Sequence, residues 1–142
     1  MRPPLVFPYV KETYIDPISK KGKELFRPKV PIVFGYNHKI TPYPLNCLVD
    51  TGSDFNLFPA AIAEYLGINV KNGKIRKIYG IGKANLDAYR HLIEIYLEKH
   101  KISTHADFTY EQRLPLLGRT GFLSYFRQVI FKEKEKLTEL YF

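Results

Sequence analysis

Short apolar runs broken by proline and glycine limit what this chain can fold into. The 10 prolines and 9 glycines are spread along the 142 residues, and the runs between them are too brief for long helices. Residues 5–15, 26–34, 45–49, 74–79, 92–97 and 128–131 are rich in β-branched and aromatic side chains and read as strands. In the fifth of these, Ile93, Ile95 and Leu97 alternate with Glu94, Tyr96 and Glu98, the period of a half-buried strand. Pro28 and Pro31 predict that the second run is an edge strand, because proline donates no ladder hydrogen bond. Residues 19–23 and 35–38 read as turns, and residues 132–136, alternating in charge, as a solvated turn. Helix is expected only where Pro59 opens and Gly67 closes residues 60–66, and as one turn within residues 121–126. The expected class is all-β, with one or two short helices in a single domain.

Composition narrows the function classes. An apolar content of 45% with 11 Tyr and 10 Phe indicates a folded chain with a real core. The formal charge of +8 is compatible with nucleic acid, an anionic surface or an acidic partner, or with a solubility role alone. The basic residues are dispersed and match no nucleic-acid signature, so nucleic acid is not the expected partner. Cys47 is the only cysteine, which excludes an intrachain disulfide and a cysteine-rich zinc site; its apolar neighbours predict a buried thiol. No apolar stretch suits a signal peptide or membrane span, and a cytoplasmic protein is the expectation.

The chemically informative segment is the apolar run Leu45–Val49, which leads directly into Asp50-Thr51-Gly52-Ser53-Asp54. Alone, Asp-Thr-Gly after a strand is equally well a turn. Metal-free peptide hydrolysis without a covalent intermediate needs one group to take a proton from water and another to give one to the carbonyl. Two carboxylates in close contact do both, because like charges at that distance cannot both ionise and the pair shares one proton. Asp16, Asp54, Asp87 and Asp107 lack the pattern around Asp50, so if the chain is active through such a pair, the second carboxylate is expected from Asp50 of another copy across a two-fold axis.

Leu48-Val49-Asp50-Thr51-Gly52-Ser53 resembles the catalytic segment of the retropepsin-like aspartic proteases, and Leu116-Leu117-Gly118-Arg119 resembles their second mark, two apolar residues before Gly-Arg. Gly80-Ile81-Gly82, between the two, is placed like their flap tip. The resemblance covers roughly residues 27–142. It implies a closed acid-protease β-barrel with one lobe per chain, formed by residues 26–142. Residues 1–25 are then an N-terminal extension and, with residues 128–131, a candidate interface element. It further implies a homodimeric endopeptidase acting on peptide or protein, with Asp50 catalytic and no cofactor or metal. Thr51 would bond across the two-fold axis, Gly52 would admit the substrate backbone, and Ser53 would bond the carboxylate. Asp54 and Arg119 would pair as ions. Tyr79, Gly80, Ile81 and Gly82 would form the flap, and Leu57, Ile78, Ile81 and Leu116 the apolar subsites. Thr120 and Gly121, which follow Arg119, depart from the commoner acidic or amide continuation.

Other chemistries fit less well. Asn85 stands where a dinucleotide fingerprint needs its third glycine. His100 and His105 have no carboxylate or cysteine at ligand spacing, and Ser53 and Ser124 lack a nucleophile-elbow context. The alternative from another class is a catalytically silent dimer of the same fold that binds a protein or nucleic acid. Intact Asp50-Thr51-Gly52 argues against it.

Overall fold

The computed structural model describes residues 2–80 and 85–142. Its elements, in chain order, are β1 (Leu5–Pro8), β2 (Val10–Ile15), β3 (Gly22–Arg27), β4 (Lys29–Tyr36), β5 (Lys39–Ile40), β6 (Leu45–Val49), β7 (Leu57–Pro59), α1 (Ala60–Tyr65), β8 (Lys74–Tyr79), β9 (Asn85–Leu97), β10 (His100–Thr109), β11 (Leu116–Leu117), β12 (Gln128–Lys132) and β13 (Leu137–Tyr141). The class is all-β, as expected. The order β4-β6-β11-β7-β10-β9, closed by pairing of β9 with β4, makes a six-stranded barrel. Among the described residues no helix is long and apolar enough to cross a membrane.

The barrel closes because its strands alternate. Val30, Ile32 and Phe34 of β4, Ile93, Ile95 and Leu97 of β9, and Ile102, Ala106 and Phe108 of β10 point inward and are buried. They meet Cys47 and Val49 from β6 and Phe58 from β7. Phe34 and Phe58 pack edge to face, 4.9 Å between ring centroids. Helix α1 lies against the barrel through Ala60, Ile62 and Ala63, and Gly67 closes it at φ 81°, a left-handed conformation suited to glycine.

The edge-strand expectation for residues 26–34 is corrected, and the prolines explain how. β4 pairs with β6 over Lys29–Ile32 and with β9 only from Val33 onward. The Pro28 carbonyl and the Phe34 N–H face β6 and β5, bonding the Val49 N–H at 3.0 Å and the Thr41 hydroxyl at 3.0 Å. With a period of two, Pro31 turns its nitrogen the other way, toward the side β9 has not yet reached. The missing donor costs no ladder bond, so an interior strand tolerates the ring.

The N-terminal segment divides into two parts. Strands β2 and β3 form a separate two-stranded sheet with Tyr14, Ile15, Leu25 and Phe26 exposed. β1 belongs to the body instead. It pairs with β13 in the sheet β1-β13-β12, and Phe7 is buried in the core. Tyr9 fastens it, its N–H bonding the Lys136 carbonyl at 2.8 Å and its hydroxyl donating to Glu133 at 2.7 Å. Burial, and then the Glu133 hydrogen bond and charge, raise the Tyr9 phenol from its ordinary 10.0 to about 12. Because the folded value is the higher, this stabilisation is complete below about pH 10 and is lost as pH rises through about 12. Tyr9→Phe is expected to cost about 1 kcal/mol at neutral pH. Urea midpoints measured along a pH series should show the gap between variant and wild type closing in that alkaline window.

Candidate active site

β6 and β11 run parallel, with Leu48 beside Leu116 and Val49 beside Leu117. Their ends bring the two motifs together: the Asp50 N–H donates to the Leu117 carbonyl at 2.9 Å, and the Leu48 N–H to the Pro115 carbonyl at 2.9 Å. The chain then turns through Thr51 and Gly52, so that the Gly52 N–H donates to Asp50 Oδ1 at 2.9 Å and the Ser53 N–H to the Asp50 carbonyl at 3.2 Å. Asp50 is half-buried and Thr51 and Gly52 are exposed. A Cβ on Gly52 would stand 3.2 Å from Asp50 Oδ1, crowding the one oxygen the turn holds. The Thr51 hydroxyl makes no hydrogen bond among the described residues.

Two expected contacts take another form. The Ser53 hydroxyl donates to the Phe55 carbonyl at 2.7 Å instead of to Asp50, because the turn directs it along the loop toward β7. Asp54 and Arg119 form no ion pair with each other. Their backbones join the segments instead: the Arg119 N–H bonds the Ser53 carbonyl at 2.8 Å and the Thr120 N–H bonds the Asp54 carbonyl at 2.8 Å. Both side chains remain exposed.

Beneath the loop lies a residue that the motifs do not announce. Asn56 is fully buried; its amide donates to the His105 carbonyl at 3.1 Å and the Gly121 carbonyl at 2.9 Å, and its Oδ1 accepts the Gly118 N–H at 3.0 Å. One side chain thus ties the Asp50 loop, β10 and the Gly-Arg turn together. Gly121 is small because of it, and Gly118 because of the neighbouring Phe55 backbone. A Cβ on Gly121 would fall 2.3 Å from Asn56 Nδ2, and one on Gly118 would fall 2.3 Å from the Phe55 carbonyl oxygen. Nothing in the sequence around Asn56 distinguishes it from a turn asparagine.

Beside the loop opens a cleft of about 530 Å³, lined by residues 52–55 and by residues 76–80, which run from β8 just past its end. Leu57, Ile78 and Leu116, the expected subsite residues, line it, as do Tyr79 and Gly80 of the expected flap. Ile81 and Gly82 lie outside the described residues. Arg76, Lys77, Asn85, Leu86 and Gln112 also line the cleft, and of their place here the sequence motifs give no indication.

No family model and no curated protein matches the sequence. Solved structures do match the fold. A retropepsin-like aspartic protease from Rickettsia conorii superposes with a TM-score of 0.61 at 13% identity, covering 92% of this chain and 98% of its own. The EIAV protease in complex with the inhibitor HBY-793 superposes with a TM-score of 0.50 at 24% identity, covering 66% of this chain and 82% of its own. The six-stranded barrel, with Asp50-Thr51-Gly52 at the end of one strand and Gly118-Arg119 closing over it, has the retropepsin-like fold.

Proposed function

We propose that this protein is an aspartic endopeptidase that works as a homodimer, each subunit supplying one Asp50. The observation that carries this reading is the state of that residue. A half-buried carboxylate, one oxygen held by the Gly52 N–H, stands on a turn whose tip is exposed and whose following residues, 52–55, line the cleft. Two such turns meeting across a two-fold axis bring the carboxylates together. The exposed Thr51 hydroxyls are then available to bond from one loop to the other.

In the paired site a water molecule lies between the carboxylates. The ionised carboxylate takes a proton from the water as its oxygen attacks the scissile carbonyl, and the protonated one gives its proton to the carbonyl oxygen. The tetrahedral diol then collapses. The C–N bond breaks, the nitrogen receives a proton from the dyad, and acid and amine leave. Leu57, Ile78 and Leu116 hold apolar side chains next to the scissile bond. Tyr79 and Gly80, which line the cleft, are placed to offer the substrate backbone hydrogen bonds. β1 and β12 are the outer strands of their sheet, and their unpaired edges suit pairing with the second subunit.

Hydrolysis of an unstructured protein such as casein, followed from about pH 4 to 7, tests the reading. Activity per mole should rise with protein concentration in step with dimer formed, as measured by sedimentation, and an inhibitor of aspartic proteases should abolish it. Absence of hydrolysis at any concentration overturns the proposal. So does full activity in a species that sediments as a monomer.

A further inference from the structure

Three charged side chains form a row over β8, β9 and β10, and one of them, Arg76, lines the cleft. Asp107 sits directly opposite Arg90, while Arg76 faces Ala88, two pairs along, so that all three project from the same face of the sheet. Asp107 is fully buried, and Arg90 occupies both of its oxygens, Nε to Oδ1 at 3.0 Å and Nη2 to Oδ2 at 3.2 Å. Arg76 reaches the same carboxylate only at 3.5 Å, and its buried Nε makes no hydrogen bond. Both guanidinium groups lie over the Phe55 ring, 4.1 Å from its centroid for Arg76 and 4.5 Å for Arg90.

The charges do not balance. Two guanidinium groups share a single carboxylate, and both of its guanidinium hydrogen bonds go to Arg90. The surplus positive charge belongs to Arg76, which is 31% exposed and lines the cleft together with Phe55 and Leu57. Stacking on an aromatic ring fixes the plane of a guanidinium and leaves its edge as a rigid donor fork. Lys77, on the same wall, is exposed and engaged with Asp87 at 2.7 Å. Asp54 also borders the cleft, but it is exposed, where water screens its charge.

We propose that Arg76, held on Phe55, forms a carboxylate-binding subsite that takes a Glu or Asp side chain of the peptide substrate. The inference rests on the protease reading and adds to its apolar subsites one that selects for negative charge. The other groups have fixed parts. Asp107 anchors the row, Arg90 satisfies Asp107, and Phe55 ties the subsite to the loop that carries Asp50.

The test uses peptide pairs identical except for Glu or Gln at one position, with that position moved stepwise along either side of the scissile bond. kcat/KM is measured with wild type, Arg76→Gln and Arg76→Lys. Binding of the same peptides to Asp50→Asn is read by fluorescence anisotropy. At one position wild type should favour Glu by about tenfold, as a partly screened charge-assisted bond provides. Arg76→Gln should abolish that preference at that position alone, and Arg76→Lys should retain part of it. A brace that merely holds the fold would weaken all the peptides equally. The subsite is overturned if no position prefers Glu, or if the preference survives Arg76→Gln. A Glu preference in binding without any cleavage by wild type upholds the subsite and sinks the protease reading; neither binding nor cleavage sinks both.

Discussion

Asp50→Asn is expected to lower kcat by about a thousandfold or more while leaving the fold and the dimer intact. The substitution is isosteric, and the amide oxygen still accepts the Gly52 N–H that positions Asp50 Oδ1. The capacity to take a proton from water is lost. In a homodimer one gene change removes both carboxylates, so no residual base remains at the axis. Circular dichroism and sedimentation should therefore match wild type when hydrolysis has disappeared. Mixing the two proteins sharpens the result. If subunits exchange freely, only about one quarter of the dimers in an equal mixture contain two Asp50 residues. Activity should fall toward that fraction and not to the half that independent monomers would give. Hydrolysis by the pure variant at the wild-type rate would remove Asp50 from the chemistry altogether.

What the sequence disclosed and what it withheld divide along a physical line. The Asp50 turn was legible because a strand ending, a carboxylate and a glycine are consecutive in the chain, and the Gly118-Arg119 turn for the same reason. The inward face of β9 was legible because alternation is local, with Ile93, Ile95 and Leu97 buried as their spacing predicts. The row Arg76, Arg90 and Asp107 depends on the register of three strands, so no window of sequence contains it. Asn56 is of the same kind, since its partners His105, Gly118 and Gly121 are remote in sequence and approach it only when the barrel closes. Ser53 shows a third case. The residue was singled out as part of the loop, but its hydroxyl follows the turn to the Phe55 carbonyl, a choice of partner that residue type does not encode. Pro31 misled for a related reason: proline reports on one edge of a strand, and β4 is paired on different edges along its length.

Gly118→Ala is the substitution expected to damage the fold most. The added Cβ would lie 2.3 Å from the Phe55 carbonyl oxygen, 2.5 Å from its carbon and 2.8 Å from its nitrogen. These are backbone atoms of the loop between Asp50 and β7, so no side-chain rotation relieves the contact. The loop must move away from the Gly-Arg turn, weakening the bond from the Arg119 N–H to the Ser53 carbonyl and that from the Gly118 N–H to Asn56 Oδ1. A loss of about 3 kcal/mol is expected, at the upper end for an overpacked site, with activity falling because the displaced segment carries Asp50. Gly67→Ala supplies the contrast. At φ 81°, with nothing within 4 Å of the added Cβ, it introduces backbone strain without a clash. It should cost about 1 kcal/mol and leave specific activity unchanged. Urea unfolding of the two variants beside wild type separates the causes. Equal losses would mean that the loop yields to the added Cβ at little cost, and that close approach at Gly118 is not what holds it. A loss two to three times greater at Gly118, accompanied by lost activity, would mean that the Gly-Arg turn works by close approach, and that this contact holds the Asp50 loop in place.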